Sequence, residues 1–296
     1  MGNPTTKLIV AINRGNLERV RALIASGENV NAPKKEPPLI FAAAKGSVAI
    51  VKALLAAGAN VEGTNSLGET ALYYAKTSAI ASTLIDFGAK PNRVSKIGSA
   101  PLHIAASADR TAIGKALLAG GADPDIRKKD GDTPLITSSR HGKANMVRLL
   151  LKYGASPLAA NADGVTALHV SAGSRSAASP NIVRLLLHSG GDIEAVDSRG
   201  MTALMSAAYW RNLLVVGILL NAGANVNACT KFNDTALLSA ILRDDAKVAA
   251  RLIKAGADRE LTVSRQHPNR NLAGRSLSNL AKDSGKAMRS LFCDVV

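Results

Sequence analysis

Five histidines, two cysteines and a scatter of carboxylates are the side chains through which this 296-residue chain could do covalent or metal chemistry. Zinc hydrolysis would need two histidines one helical turn apart with a glutamate beside the first, so that both imidazoles face one ion. His103, His141, His169, His188 and His267 offer no such pair. Cys229 and Cys293 have neither the number nor the spacing of a zinc site or a disulfide framework. Phosphate chemistry would need a Gly-x4-Gly-Lys-Ser/Thr loop whose backbone N–H groups cradle the anion. The chain has none, and Gly142-Lys143 is a break between helical runs. Asp130, Asp163 and Asp197 stand among Gly, Asn and Ser, where turn chemistry accounts for them. No nucleophile–base set emerges. The expectation is a chain that is not an enzyme, with no catalytic residue, no metal, no cofactor and no small-molecule substrate.

Recognition is the other chemistry open to it. The formal charge is +15, from 37 basic and 22 acidic residues, which suits an acidic protein, a nucleic acid or an anionic membrane surface as partner. The densest basic run, Arg127-Lys128-Lys129, is offset by Asp130 and Asp132. A solvated positive surface and a dedicated polyanion site both fit the total. A nucleic-acid surface would pair a basic stripe with stacking aromatics, yet aromatic residues make up only 3% of the chain. Nucleic acid and membrane are therefore the lesser expectation beside an acidic protein. No apolar run approaches the ~18 residues of a membrane span. The N-terminal Met1–Lys7 leads into an amphipathic segment that does not read as a signal peptide. With two cysteines suited to a reducing compartment, the expected location is intracellular, cytoplasmic or nuclear.

The elements that must carry any binding surface follow from a strong period. A glycine closes an apolar helical run at Gly27, Gly58, Gly88, Gly121, Gly154, Gly190, Gly223 and Gly256, at intervals of 31, 30, 33, 33, 36, 33 and 33 residues. Glycine suits this place because it adopts the left-handed helix-ending conformation without a Cβ penalty. One unit shows the grammar. Thr133 can cap a helix that Pro134 opens, Gly142 breaks it, and Met146–Tyr153 forms a second helix with a broad apolar face. Gly154 ends that helix, and Asn161-Ala162-Asp163-Gly164 turns into the next unit.

Ala100-Pro101-Leu102-His103-Ile104-Ala105-Ala106, Thr133-Pro134-Leu135, Thr166-Ala167-Leu168-His169, Thr202-Ala203-Leu204 and Thr235-Ala236-Leu237 resemble the ankyrin-repeat family. So do the second-helix runs Ile50–Asn60 and Ile182–Leu187. The resemblance implies an all-α ankyrin-repeat solenoid of stacked antiparallel helix pairs joined by β-hairpin-like loops, forming a single domain over 1–296. The units are read as an N-terminal cap (1–33), repeats at 34–64, 65–94 (shortened), 95–127, 128–160, 161–196 (with an inserted loop), 197–229 and 230–262, and a basic loop with a C-terminal cap (263–296). One helix pair cannot bury its own apolar face, so neighbours must build the core by stacking. In this family the Leu-His histidine is structural, which assigns His103 and His169 to bonding hairpin backbone.

Three places depart from the pattern. Leu72 to Gly88 spans 16 residues against 19 in most units, which predicts a tighter turn around Lys76-Thr77-Ser78. Gly173–Pro180 carries about three extra residues, a Ser/Ala-rich loop that is either a specificity element or a neutral insertion. After Gly256 the next helix is delayed, and the basic stretch Ser264–Asn271 reads as an enlarged hairpin loop.

The resemblance also implies a concave contact surface made of hairpin tips and the pair of residues ending each first helix. The tips are Ser66, Leu67, Glu69; Lys96, Ile97, Ser99; Lys129, Asp130, Asp132; Ala162, Asp163, Val165; Ser198, Arg199, Met201; and Lys231, Phe232, Asp234. The helix-end pairs include Arg140-His141, Gly173-Ser174, Tyr209-Trp210 and Leu242-Arg243. Trp, Tyr and Arg dominate interface energies. The candidate partner-binding residues are accordingly Lys129, Arg140, His141, Arg199, Tyr209, Trp210, Lys231, Phe232 and Arg243, with Trp210 serving either the interface or the packing between repeats. The expected function is a non-catalytic protein–protein interaction module (adaptor, scaffold or inhibitor) that is monomeric alone and binds an acidic protein. The alternative is polyanion binding. Gly2 with Thr6 loosely fits an N-myristoylation pattern, and the tail Cys293–Val296 could present an acidic–x–Val terminus to a PDZ domain.

Overall fold

In the computed structural model, residues 4–31 and 37–293 are described; the Gly2 pattern and the terminal Asp294-Val295-Val296 lie outside them. The chain divides into two compact units, Met1–Pro134 with Lys152–Ala155, and Leu135–Leu151 with Ser156–Val296. Seventeen α-helices and no strand occur among the described residues. None of those helices is long and apolar enough to cross a membrane.

The first unit holds α1 (Pro4–Asn13), α2 (Leu17–Ala25), α3 (Pro38–Lys45), α4 (Val48–Ala56), a single 3₁₀ turn (Ala71–Tyr74), α5 (Ser78–Asp86), α6 (Pro101–Ser107) and α7 (Thr111–Ala119). Alternate elements pack side by side: α1 on α3 and α3 on the 3₁₀ turn, α2 on α4, α4 on α5 and α5 on α7. The short unit therefore differs from the sequence reading. Its saving comes mainly from the first helix, which shrinks to one 3₁₀ turn, while Thr77 caps α5 through Ile80 N–H (3.3 Å). Asn13, Arg14, Asn16, Glu18, Arg19 and Arg21, polar residues around the turn of the first helix pair, are all exposed.

The second unit begins within α8 (Pro134–Arg140) and continues through α9 (Ala144–Lys152), α10 (Ala167–Ala172), α11 (Ser179–His188), α12 (Ala203–Tyr209), α13 (Leu213–Asn221), α14 (Ala236–Leu242), α15 (Ala246–Lys254), α16 (Leu277–Lys282) and α17 (Lys286–Cys293). Here α10, α12, α14 and α16 pack in one layer, and α11, α13, α15 and α17 in another. Short first helices start at threonine caps: the Thr202 and Thr235 hydroxyls accept from Met205 N–H (3.3 Å) and Leu238 N–H (3.1 Å). Ala207 and Ala208 of α12 are fully buried, which lets neighbouring helices approach closely. Leu204, Val215, Val216 and Leu219 fill the layer between, and each such buried side chain contributes about 1.5–3 kcal/mol.

All eight periodic glycines adopt positive φ, from +81° at Gly58 to +93° at Gly256, as a left-handed helix end requires. Among the described residues four non-glycines share that region, including Arg211 (φ +61°) and Asn233 (φ +61°).

A backbone staple joins successive repeats. Four residues after Gly27, Gly88 and Gly223 stands an asparagine whose side chain spans to the next repeat. Asn31 donates to Gly58 C=O (2.8 Å) and accepts from Asn60 N–H (2.7 Å). Asn92 makes the same pair with Gly121 and Asp123, and Asn227 with Gly256 and Asp258. Glu62 and Glu194, at the equivalent places, accept from Lys90 N–H (2.9 Å) and Asn225 N–H (2.7 Å).

Candidate functional site

Both Leu-His histidines do structural work. His103 Nδ1 accepts from Ala100 N–H (3.2 Å), and its Nε2 faces Asp132 C=O across 3.0 Å. His169 repeats this with Thr166 N–H (3.2 Å) and Met201 C=O (3.0 Å). Nδ1 as acceptor leaves Nε2 carrying the proton it donates, so both rings are neutral. Burial lowers the His103 pKa to about 4, against 6.5 for an ordinary histidine, and lowers that of His169 too. Both nitrogens of each ring are engaged in these contacts. No group of three or more His, Cys, Asp or Glu side chains suited to holding a metal ion gathers among the described residues.

In the second unit a recess forms where α12 ends. Tyr209 is the last residue of that helix and Trp210 its cap. Their rings meet edge to face, 5.5 Å apart at 85°. Both stay partly on the surface, 40% and 43% exposed. The next hairpin brings Phe232 to the same recess, and the enlarged late loop brings His267, whose ring meets Phe232 edge-on at 5.6 Å. The cavity between them has a volume of about 840 Å³. Met201, Leu238, Leu242 and Leu272 give it an apolar lining, and Arg199, Lys231 and Asp234 bring charge.

Each aromatic ring in this recess carries a cation on its face. The Arg175 guanidinium lies 5.5 Å from the Trp210 ring centre, Lys231 Nζ 5.0 Å from that of Phe232, and the Arg243 guanidinium 4.9 Å from that of Tyr209. Such contacts are worth about 0.5–1 kcal/mol at exposed sites. Arg199 is held differently, by Asp197 through Nε (3.1 Å) and Nη2 (2.7 Å). Burial alone would raise the Asp197 carboxyl, but Arg199 and the N–H groups of Met201 and Arg199 outweigh it and hold the pKa below the usual range.

Of the sequence-predicted residues, Arg199, Tyr209, Trp210, Lys231 and Phe232 line this one cavity, and Arg243 covers the Tyr209 ring. Arg140 lines a neighbouring hollow of about 370 Å³ with His169, Arg199 and Trp210. His141 is exposed and lines neither hollow. Lys129 belongs to the first unit, where its side chain runs over Gly98. The third tip position is not a contact position in the first unit: Glu69, Ser99 and Asp132 are buried. That residue closes the hairpin, as when Glu69 N–H donates to Asn65 Oδ1 (3.0 Å) and Asn65 Nδ2 to Glu69 Oε2 (3.1 Å).

Sequence reasoning missed Arg175, which faces Trp210 from a separate hollow, and the cavity wall supplied by His267, Pro268, Asn269 and Leu272. Both come from the two irregular loops. The Ser/Ala-rich insert is pinned by its own serines: Ser174 and Ser176 hydroxyls accept from Ser176 N–H (3.1 Å) and Ala178 N–H (3.2 Å), and Ser179 donates to Ser171 C=O (2.6 Å). Gly173 opens this loop against the indole, where an added Cβ would lie 2.8 Å from Trp210 Cδ1.

The family model described as "Ankyrin repeats (3 copies)" matches residues 8–95, 102–197 and 174–262. A search of curated proteins found none that matches the chain.

Proposed function

Because the chain belongs to the ankyrin-repeat family, whose repeats are generally protein–protein interaction modules, we propose that it is a non-catalytic adaptor, scaffold or inhibitor, monomeric alone. Its helix pairs are read as eight repeats and a capping half-repeat. On this reading it grips an acidic protein with the hairpin and first-helix face of the second unit, centred on Tyr209, Trp210 and Phe232. The observation that supports this most is three aromatic rings, each faced by a cation, around one cavity. Aromatic residues total only 3% of the whole chain, these three included. Aromatic and arginine side chains at one recess are the residues that supply most interface energy.

Affinity capture with mass spectrometry, comparing the native chain with Trp210→Ala, tests it. A protein retained by the native chain and lost by the variant supports the reading; identical captured sets contradict it. The net charge of +15 favours polyanion binding as the second reading. Salt separates the two. Polyanion affinity falls steeply and log-linearly with salt as counterions are released, whereas an aromatic-centred interface loses far less.

A further inference from the structure

We propose that the cavity of the second unit receives a short acidic segment of the partner protein, which inserts one large apolar side chain. This deepens the protein-binding reading and rests on it.

The late loop makes the recess a pocket. Ser264 N–H donates to Phe232 C=O (2.9 Å), tying the loop to the preceding hairpin. From there His267 packs on Phe232 and approaches Asp234 Oδ1 with Nε2 (3.3 Å), while Pro268 and Leu272 complete the wall. A volume of about 840 Å³ lies within the usual range of ~300–1,000 Å³ for small-ligand sites. It admits a few side chains, not a folded surface. Leu242, on the lining, remains 50% exposed. An apolar side chain covers it, whereas a purely ionic guest leaves it in water.

The charges fix the sign of the guest. Among the described residues, Arg175, Lys231 and Arg243 make no ion pair, and their cationic groups rest on ring faces. A cationic guest would find the Phe232 and Tyr209 faces taken and the like charges of Lys231 and Arg243 beside it. An anionic guest finds Lys231 in the lining and Arg243 on the Tyr209 ring at its edge, while Arg175 faces Trp210 from a separate hollow. The basic groups nearby are not equivalent in this respect, since Arg199 and Arg211 are ion-paired with Asp197 and Asp245. Asp234, the one carboxylate of the lining, accepts from the Thr230 hydroxyl through Oδ2 (3.2 Å), while its Oδ1 lies 3.3 Å from His267 Nε2 and is buried without a hydrogen-bond partner.

An array of short synthetic peptides, each with one variable central residue, tests the proposal on the full chain. The flanks are glutamate, serine or lysine, and an oligothymidylate serves as polyanion probe. The expected result is binding of glutamate-flanked peptides with central Leu, Phe or Trp. Replacing the centre with alanine, or the flanks with serine or lysine, weakens binding at least about tenfold. Lys231→Glu and Arg243→Glu weaken it similarly with an unchanged melting temperature. Binding indifferent to the central residue, oligothymidylate binding as tight as the best peptide, or an array with no binder overturns the proposal. A silent array alongside a captured protein that needs Trp210 refutes the acidic segment and leaves the protein-binding reading standing. Silence in both refutes both.

Discussion

Arg175, on the inserted loop, holds its guanidinium 5.5 Å from the ring centre of Trp210, the cap of α12. This contact joins the irregular part of one repeat to the candidate binding surface of the next. The loop and the indole are also joined sterically through Gly173, whose absent Cβ leaves room for the ring.

Gly173→Ala is therefore expected to displace the indole without straining the backbone, since φ there is −80°. The chain has one tryptophan and four tyrosines, so fluorescence excited selectively at the indole reports on this ring alone. The expected outcome is a red-shifted emission maximum, weaker partner binding and a stability loss below about 1 kcal/mol. An unchanged spectrum would show that the ring does not depend on this contact.

Arg211 occupies a left-handed position that several other repeats fill with glycine, such as Gly46 and Gly142. A non-glycine residue there costs about 1–2 kcal/mol. Its exposed ion pair with Asp245 (3.1 Å) returns about 0–1 kcal/mol. Arg211→Gly should then raise the melting temperature by a few degrees, measurable by differential scanning calorimetry. A fall would mean that the ion pair outweighs the strain.

Leu158 stands four residues after Gly154, where other repeats place the Asn or Glu staple, and it is 58% exposed. A leucine cannot bond Gly190 C=O or Asp192 N–H. Leu158→Asn should add a staple worth about 1 kcal/mol at little loss of buried surface. Urea unfolding with an unchanged m-value and a higher midpoint would bear this out; a lower midpoint would refute it.

His103 gives the fold a pH dependence of definite sign. Its folded pKa, about 4, lies below the unfolded 6.5, so the unfolded chain binds more protons between those values. The neutral ring's contribution is intact above pH 6.5 and is lost as pH falls toward 4, on the order of 3 kcal/mol in all. His169 acts in the same direction. Melting temperatures should drop over this window, and His103→Gln should flatten the dependence while lowering stability at pH 7.5. An identical pH slope in the variant would exclude His103 as its source.

The repeats were legible because their rules are local. Thr166, Thr202 and Thr235 cap helices, and the periodic glycines occupy a conformation other residues avoid. Tyr209, Trp210 and Phe232 could be placed together because the period of 33 puts α12's end beside the next hairpin tip. Arg175 and Leu272 could not, because both follow a break in register, where the period no longer says which way a side chain points. The inward turn of Glu69, Ser99 and Asp132 was also hidden: polar residues at a turn look solvent-facing until the hairpin's own hydrogen bonds are drawn. The staple shows in the sequence only as an Asn or Glu four residues after most of the periodic glycines, and its partners, some 30 residues on, reveal what it does.

The central claim is that the aromatic recess of the second unit is the partner site. The double variant Trp210→Ala/Phe232→Ala measures this most directly when partner affinity and melting temperature are read together. Loss of affinity by about 30-fold or more, with a melting temperature within a few degrees of the native chain, is the result expected. Undiminished affinity accompanied by a large drop in melting temperature would contradict it and assign the rings to packing between repeats.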